Sequence, residues 1–342
     1  MTKNKETLYF RVDMNNIVAT GHIMRCLSIA DAASDKGYES VFILADDTAV
    51  SLISSRGYDY IVLGSKWDDM DSEIDIISKL IACCNIRKII IDSYYVTEKY
   101  LRAITILSET IYIDDINAFD YPVNKLICYA NYYSKFEYDK SKYTNRVNML
   151  GCKYVPLRSE FKKISERKIS KNIRKLLIIC GGSDNYKIID NMLGKLSMCD
   201  QYDIVAICGR FNKDYDYINS KYINYNNIVI YKTVDNMIDY MLEADLAISA
   251  GGTSLYELCA CGTPTITYSF ADNQLDNVIQ FEKDNLMPYL GDVRYDDIYK
   301  TIDDVIDRIR GFKHRKNISN KMQCLVDGFG SKRIIEAIEY SI

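Results

Sequence analysis

Hydrophobic and polar residues alternate along the chain in two rhythms. Short runs rich in Val, Ile and Leu, such as those at 40–45, 88–95 and 175–182, predict strands. Between such runs lie stretches with apolar residues every three or four positions, as in 22–36 and 272–284, and these predict amphipathic helices. Strands that alternate with helices indicate βαβ units and a parallel sheet, and strands that are apolar on both faces fit a sheet covered by helices.

The pattern occurs twice, once in each half of the chain. The Lys-rich segment 160–175 between the halves has the composition of a linker. We therefore predict an N-terminal domain over 1–160 and a C-terminal domain over 173–342, whose last helix either stays with that domain or packs back on the first. The predicted strands are 8–13, 40–45, 60–64, 88–95, 110–116 and 125–130 in the first half, and 175–182, 203–209, 227–234, 245–252 and 263–270 in the second.

Composition excludes several classes of protein. The 342 residues are 48% hydrophobic and 26% charged, a globular balance, with a formal net charge of −4 and no concentration of Lys and Arg typical of nucleic-acid binding. The longest apolar run is far too short to span a membrane, and the N-terminus lacks the features of a signal peptide. We expect a cytoplasmic monomer with no nucleic-acid partner and no integral membrane segment.

The eleven cysteines form no CxxC pair, and only two histidines are present, so we expect no metal site. We interpret the cysteines as small buried hydrophobic residues in a reducing compartment and assign none of them to catalysis. A GxGxxG motif after the first strand of either half and a P-loop are both missing. The sequence therefore predicts no cofactor, and a nicotinamide oxidoreductase is the weakest alternative.

Candidate chemistry lies first at the end of the first strand, because open α/β sheets bind ligands at the carboxyl ends of their strands. The strand breaks at Asp13, a polar loop leads to Gly21, and a helix begins at or next to His22. Glycine lets a ligand approach the backbone, and a helix N-terminus disfavours the imidazolium, so His22 is a candidate base. The alternative is a structural histidine. The second histidine, His314, lies in the basic run KHRK and is expected on the surface.

A second candidate place is the turn Gly181-Gly182-Ser183-Asp184, which follows the strand KLLII. Free backbone N–H groups at such a strand-to-helix turn can cradle a phosphate. The alternative is a tight turn in which Ser183 or Asp184 caps the helix.

The third and most informative place follows the strand that ends at Ser249. Gly251 and Gly252 form a turn, and Thr253 or Ser254 caps the next helix. A diphosphate at this helix N-terminus would meet unpaired N–H groups and the positive end of the helix dipole. The alternative is an ordinary βαβ unit with capping residues.

Three further polar residues flank this third place. Glu257 lies one turn into the helix, where its carboxylate can accept two hydrogen bonds from a ribose diol. Asn273 and Gln274 follow the next strand, and their neutral amides suit sugar hydroxyls or an attacking water.

The segment Arg11-x-Asp13 … Gly21-His22-x-x-Arg25 resembles the N-terminal signature of the nucleotide-sugar hydrolases of pseudaminic acid biosynthesis, which cleave UDP from a 2,4-diacetamido-2,4,6-trideoxy sugar. The C-terminal half is also similar to the UDP-binding half of the peptidoglycan N-acetylglucosaminyltransferase. The other matches, in chain order, are Ile91-Asp92-Ser93-Tyr94, Asp114-Asp115, Asn131, Leu157-Arg158-Ser159-Glu160-Phe161, Gly181-Gly182-Ser183-Asp184, Ser249 to Glu257, Asn273-Gln274 and Gly328-Phe329-Gly330-Ser331-Lys332-Arg333.

The resemblance implies a GT-B-like α/β fold, in which two Rossmann-like domains with parallel sheets face each other across a cleft. It implies that UDP is bound mainly by the C-terminal domain and that no metal takes part. It further implies a base at His22, with Tyr94 and Asn273 near the reacting sugar, and substrate contacts from Arg25 and Arg158.

The predicted reaction is hydrolysis of the UDP-sugar with inversion. Water attacks the anomeric carbon, His22 takes its proton, Asn273 holds the same water, and N–H groups around Gly251, Gly252 and Thr253 stabilise the departing diphosphate. Two alternatives keep the same site: a glycosyltransferase in which the base deprotonates an acceptor hydroxyl, and a nucleotide-sugar sensor without catalysis.

Overall fold

The computed structural model describes residues 6–15, 17–18, 20–162, 164–197 and 201–339. The chain forms two compact units. One unit comprises Met1–Ser159 together with Gly328–Ile342, and the other comprises Glu160–Asp327.

The first unit is built on a parallel sheet whose strands lie, in the described residues, in the order β3-β2-β1-β4-β5-β6-β7. The chain extends the sheet first to one side of β1 and then to the other, so a crevice opens beyond the carboxyl ends of β1 and β4. The strands are β1 (Thr7–Val12), β2 (Glu39–Leu44), β3 (Asp59–Val62), β4 (Lys88–Asp92), β5 (Glu109–Ile113), β6 (Lys125–Cys128) and β7 (Val147–Leu150).

Helices cover this sheet, and its inner strands β4 and β6 are fully buried. All five residues of β4 are buried, as its sequence KIIID requires of a central parallel strand. Thr97 caps one helix by accepting a hydrogen bond from the N–H of Tyr100 through its side chain at 3.0 Å. The helices of this part are α1 (Gly21–Ser34), α2 (Val50–Ser55), α3 (Ile74–Cys84) and α4 (Glu98–Thr105).

The second unit repeats the arrangement with its own parallel sheet, in the order β10-β9-β8-β11-β12-β13. Its crevice lies beyond the ends of β8 and β11. The strands are β8 (Lys175–Ile179), β9 (Asp203–Ile207), β10 (Ile228–Tyr231), β11 (Leu246–Ala250), β12 (Thr265–Ser269) and β13 (Tyr289–Asp292). The helices are α5 (Ile188–Leu196), α6 (Tyr215–Tyr222), α7 (Met237–Glu243), α8 (Ser254–Cys261), α9 (Asp272–Lys283), α10 (Ile298–Ile309) and α11 (Phe312–Leu325).

Two Rossmann-like parallel sheets are thus present, which confirms the predicted fold class. The segment expected to be a linker has mostly irregular structure but is attached to the second unit through Arg167. The guanidinium of Arg167 donates to the carbonyl of Met241 at 3.0 Å and to the hydroxyl of Thr263 at 2.9 Å. Buried carbonyl groups therefore fix the conformation of this segment.

The helix α12 (Gly330–Glu339) belongs to the first unit and packs on α1. A Cβ on Gly330 would overlap the carbonyl of Val155, so only glycine permits this close approach. The hydroxyl of Ser331 donates to the carbonyl of Leu157 at 3.3 Å. The last helix therefore packs back on the first unit, which is the second of the two positions expected from the sequence.

Candidate active site

His22 lies at the crevice of the first sheet. It is the second residue of α1, and the residue is 6% exposed. Its Nδ1 atom lies 2.6 Å from Oδ1 of Asp92, the last residue of β4. Because β1 and β4 are neighbours, the fold joins two residues that are 70 positions apart.

Asp92 is a buried carboxylate that Arg25 neutralises. Arg25 stands three residues after His22 on the same face of α1, and its Nε and Nη2 atoms each donate to Asp92 at 2.5 Å. Burial alone would raise the pKa of Asp92, but the charge of Arg25 and the contact with His22 hold this pKa well below its usual range. Asp92 is therefore an anion at neutral pH.

This anion decides which nitrogen of His22 can act as a base. Because an ionised carboxylate only accepts hydrogen bonds, we assign the ring hydrogen to Nδ1, from where it is donated to Asp92. The lone pair is then on Nε2. The Nη2 atom of Arg25 also lies 2.9 Å from Nδ1. In this tautomer both nitrogens are donors, so they are in contact without a hydrogen bond between them. The pair Asp92–His22 is the arrangement by which a carboxylate orients a histidine base.

Tyr94 packs against the imidazole. The two ring centroids are 4.6 Å apart and the ring planes are nearly perpendicular, at 82°. The hydroxyl of Tyr94 donates to Oδ2 of Asp115 at 3.1 Å, and Asp115 follows β5. The structure therefore brings the predicted residues His22, Arg25 and Tyr94 into one contiguous group.

A pocket opens beside this group. Asp13 forms part of its wall, and both oxygens of its carboxylate have partners: Oδ1 accepts from the N–H of Ala45 at 2.7 Å, and Oδ2 accepts from Arg11 at 2.5 Å. The carboxylate is thus held rigidly at the wall. The lining residues are Asp13, Val18, His22, Trp67, Asp92, Ser93, Tyr94 and Tyr95.

Two other predicted residues of the first unit differ in their surroundings. Gly21 is the first residue of α1, and a Cβ there would meet no atom within 4 Å, so the protein itself does not require glycine at this position. Arg158 is half-buried two residues before Glu160, where the second unit begins.

In the second unit, the turn after β11 differs in one respect from the expectation. The N–H of Gly251 donates to the carbonyl of Tyr268 in β12 at 2.9 Å, and that of Gly252 donates to Ala250 at 2.8 Å. These two groups are therefore not the free donors that the predicted mechanism uses. The N–H groups of Thr253 and Ser254, at the start of α8, have no hydrogen-bond acceptor within the described part of the chain.

Helix α9 locks the conformation of this turn. Asn277 donates from Nδ2 to the carbonyl of Gly251 at 3.0 Å and accepts from the hydroxyl of Tyr256 at 2.9 Å. A Cβ on Gly251 would come within 2.6 Å of Val278 and 2.9 Å of Gln274, so the close packing of α9 demands glycine here.

The structure does not support the predicted contact between the substrate and Ser249. Ser249 lies in β11, where all five residues are buried, and its own exposure is 0%. Its hydroxyl donates to the carbonyl of Ala250 at 3.2 Å. A side chain in the middle of a sheet covered by helices has no access to a ligand, so Ser249 supports the turn instead.

The remaining predicted residues of this part are accessible to different degrees. Glu257 is half-buried in the first turn of α8, and Asn273 is exposed in the first turn of α9. The side-chain oxygen of Gln274 accepts from the N–H of Phe270 at 3.0 Å, so this amide fixes the start of α9.

At the glycine turn after β8, the carboxylate of Asp184 caps the next helix, as the alternative interpretation of this turn expects. The carboxylate of Asp184 accepts from the N–H groups of Ile188 at 2.8 Å and Ile189 at 3.0 Å, at the start of α5. Gly182 and Ser183 remain half-buried in the turn. Because Asp184 occupies the first N–H groups of α5, a phosphate at this turn would have fewer donors than the sequence suggests.

Three further residues complete the group around His22, and no role for them is predicted from the sequence: Asp92, Asp115 and Tyr129. Tyr129 accepts a hydrogen bond from Arg25 at 2.6 Å and follows β6. A usable signal exists in each case, because the residue ends or closely follows an apolar strand and so lies on the ligand-binding edge of the sheet. Their pairing with residues of α1 depends on the strand order, which sequence periodicity does not specify.

Within the described ranges, no three His, Cys, Asp or Glu side chains are grouped as metal ligands would be. Each helix there is too short or too polar to cross a lipid bilayer. Of the ten described cysteines, seven are buried and three, Cys83, Cys84 and Cys324, are exposed. Cys199 lies outside the described residues.

Known proteins are similar to this chain in sequence. Residues 176–337 match the model of the glycosyltransferase family 28 C-terminal domain. The chain is 30% identical over 244 residues to the UDP-N-acetylglucosamine–N-acetylmuramyl-(pentapeptide) pyrophosphoryl-undecaprenol N-acetylglucosamine transferase of Helicobacter acinonychis, covering 67% of this chain and 66% of that protein. It is 24% identical over 333 residues to an uncharacterised protein of Methanocaldococcus jannaschii, covering 90% of this chain and again 66% of the relative.

Solved structures match over 98% of the chain. The MurG protein of Acinetobacter baumannii superposes with a TM-score of 0.71 at 10% identity, over 99% of its own length. The S. aureus MnaA protein, solved with UDP, superposes with a TM-score of 0.67 at 11% identity, over 96% of its length. At these identities the likeness concerns the fold. The chain therefore has the GT-B fold, and its residues 176–337 match the C-terminal domain of glycosyltransferase family 28.

Proposed function

We propose that this protein is an enzyme of the glycosyltransferase type, which breaks the bond between UDP and the anomeric carbon of a sugar with His22 as the base. The observation that carries this proposal is the contact of His22 with the buried Asp92 at the crevice of the first sheet. A buried, carboxylate-oriented imidazole that lines a pocket is an arrangement suited to taking a proton from an attacking hydroxyl.

The proposal assigns the nucleotide to the second unit. Most of the family match lies there, and the relative from Helicobacter acinonychis takes its name from a UDP-sugar. The N–H groups of Thr253 and Ser254, at the positive end of α8, would receive the diphosphate, with Gly252 giving it room. Glu257, in the first turn of the same helix, would accept hydrogen bonds from the ribose.

The chemistry would proceed by displacement at the anomeric carbon. The attacking oxygen forms a bond to this carbon while the bond to the diphosphate breaks and its electron pair leaves with UDP. The proton of the attacking oxygen passes to Nε2 of His22, and the anionic Asp92 stabilises the resulting imidazolium. General base catalysis of this kind contributes on the order of 10²- to 10⁴-fold to the rate.

Two acceptors fit this scheme. Transfer to an acceptor hydroxyl is supported by the relatives, several of which are named N-acetylglucosamine transferases. Hydrolysis, with water as the acceptor, is the second candidate, because the segment from Arg11 to Arg25 resembles the signature of the nucleotide-sugar hydrolases. In that case the substrate would be the UDP-linked 2,4-diacetamido-trideoxy sugar implied by the sequence motifs, with Asn273 holding the water and Tyr94 beside the sugar.

The deciding experiment incubates the pure protein with a panel of UDP-sugars, without added metal, and follows UDP and the sugar anomer by NMR. Release of UDP and free sugar in buffer alone indicates hydrolysis with water. Release only after addition of an acceptor alcohol indicates transfer. Tight binding without any release, in either condition, would contradict the proposed enzyme and leave a nucleotide-sugar sensor.

His22→Asn tests the assigned base. Turnover should fall at least about a hundredfold, because the amide cannot take up the proton, while UDP affinity measured by calorimetry should stay unchanged. The matched control is His314→Asn, which changes the second histidine and should leave both quantities as in the wild type. An equal loss of turnover and UDP affinity in His22→Asn would contradict the role of base.

A further inference from the structure

We infer that Asp115 is a positioning residue for the His22 base: it holds Tyr94 and Arg25 in place and balances the positive charge that the imidazole gains in the reaction. The inference rests on the proposed function and adds to it a residue whose carboxylate makes no described contact with His22 itself.

The geometry around Asp115 is closed on several sides. Its Oδ2 atom accepts from the hydroxyl of Tyr94 at 3.1 Å and from Nη1 of Arg25 at 3.3 Å. Its backbone carbonyl accepts from the hydroxyl of Tyr132 at 2.8 Å, which fixes the main chain after β5. The side chain is 15% exposed. Asp115 is thus held firmly enough to define the positions of the groups it binds.

Both partners of Asp115 contact the base or its carboxylate. Tyr94 packs its ring against the imidazole of His22, and Arg25 holds the two oxygens of Asp92, which orients the imidazole. The same guanidinium also donates to Tyr129 at 2.6 Å. A displacement of Asp115 would therefore reach the base by two routes, through the aromatic ring and through the ion pair.

The charge count gives Asp115 its second role. With neutral His22, the buried group contains one positive charge, on Arg25, and two negative charges, on Asp92 and Asp115. After proton uptake by His22 the group is neutral. Without Asp115, the same step would leave this hydrogen-bonded group with a net positive charge in a poorly solvated site, which is costly.

The other charged or titratable groups around His22 do not replace Asp115. Asp13, on the pocket wall, and the buried Glu73 share the single positive charge of Arg11, which binds Glu73 at 2.7 Å and 2.9 Å, so their hydrogen bonds hold Arg11 in place rather than Arg25. Burial raises the pKa of Tyr129, and burial raises that of Cys26, whose Sγ lies 3.6 Å from Asp92, so both groups are neutral at pH 7. The Oδ1 atom of Asp115 is buried and has no hydrogen-bond partner in the described ranges, so the described contacts of this carboxylate are those of Oδ2 with Arg25 and Tyr94.

The kinetic test uses Asp115→Asn and Asp115→Ala in the full chain. The rate of UDP release at saturating substrate should fall at least about tenfold, as for the loss of one charged hydrogen bond, with KM changed less than about twofold. The acid limb of the pH–rate profile should move to lower pH in both variants, because loss of a negative charge favours the neutral imidazole. A residue with a role in folding alone would lower the rate without moving this limb.

A second readout does not depend on turnover. The chain contains two histidines, so the ring signals of His22 can be assigned in NMR spectra by comparison with the His314→Asn variant. In Asp115→Asn the titration midpoint of His22 should be lower than in the wild type. Its chemical shifts should also change, because Tyr94, no longer held by a charged partner, alters its ring-current effect. An unchanged midpoint with unchanged shifts would overturn the inference.

Asp120→Asn is the matched control, because Asp120 stands in the same connection between β5 and β6 and pairs with another arginine, Arg146, at 3.1 Å. It should leave the acid limb and the His22 signals unchanged. The proposed function and the role of Asp115 are tested by different variants. Turnover that survives in His22→Asn refutes the proposed function, whereas loss in His22→Asn combined with wild-type behaviour of both Asp115 variants refutes the role of Asp115 alone.

Discussion

One buried carboxylate, that of Asp92, orients both basic side chains of α1. His22 and Arg25 are three residues apart on one face of that helix, and each binds an oxygen of Asp92. A periodic pattern shows that the two basic residues share a face, but it does not show which carboxylate they meet. That pairing follows from the position of β4 beside β1, which is a property of the whole sheet.

Asp92→Asn should lower the free energy of unfolding by about 3–5 kcal/mol at pH 7, because it leaves the guanidinium of Arg25 buried without its main partner. The folded pKa of Asp92 is lowered, so its contribution is present above the pKa of an unfolded aspartate, about 3.9, and is lost as the pH falls below that value. The difference between the wild type and the variant should therefore narrow at pH 3. Urea denaturation at both pH values measures this.

The exposed Asp139→Asn is the control for that comparison and should behave as the wild type at both pH values. A difference between the wild type and Asp92→Asn that is equally large at pH 7 and pH 3 would contradict the ionised state assigned to Asp92.

Two glycines that each begin a helix should respond in opposite ways to alanine. Gly21→Ala places a methyl group in open space, so stability should be unchanged or slightly higher, while KM for the UDP-sugar should rise if the substrate occupies that space. Gly330→Ala forces the methyl group against the carbonyl of Val155, so the melting temperature should fall by several degrees. Thermal melts and steady-state kinetics of both variants, side by side, give the answer. Wild-type kinetics in Gly21→Ala would show that no ligand approaches this residue.

At the scale of elements, the eleven predicted strands are all present, with shifted ends, and each strongly periodic helix is found. The strands β7 and β13 were not predicted, because four residues such as VNML or YLGD contain too few β-branched residues to stand out. The turn after β11 was located correctly. Its donors differ from the expectation, because Gly251 and Gly252 already use their N–H groups within the fold.

Helix α9 is predicted to control nucleotide affinity through that turn. Asn277→Ala removes the hydrogen bond to the carbonyl of Gly251, so the turn loses its fixed orientation and UDP affinity should fall about three- to tenfold. Tyr256→Phe keeps this bond and removes only the neighbouring hydroxyl, so its effect should be smaller. Calorimetric titration with UDP ranks the two variants. Wild-type UDP affinity in Asn277→Ala would show that α9 does not control nucleotide affinity through this turn.

At the scale of the whole molecule, periodicity predicted two α/β halves but not how the chain is divided between them. The site residues of the first half lie together at one crevice because His22 and Arg25 belong to α1 and Asp92 ends β4. The interaction of Arg167 with the second unit and the return of α12 to the first involve contacts between residues distant in sequence, which local patterns do not encode.

The contiguous segment 160–327 should fold when produced alone, because it contains its own sheet and core, and it should bind UDP. The segment 1–159 should be loosely packed, because it lacks the buried side chains of α12. Joining 328–342 to it through a short flexible linker should restore cooperative unfolding. Near-UV circular dichroism and thermal melts distinguish these states, and a cooperative melt of 1–159 without the added segment would contradict the prediction.

The return of α12 to the first unit has a consequence for synthesis on the ribosome. The nascent first unit emerges early, but its last helix is translated only after the entire second unit. During that interval the surface of α1 that α12 covers is exposed, and a site for chaperones is available while the second unit is already folding. Slow translation through residues 160–327 would lengthen this exposure, so codon usage there should affect the yield of native protein more than codon usage in the first hundred residues.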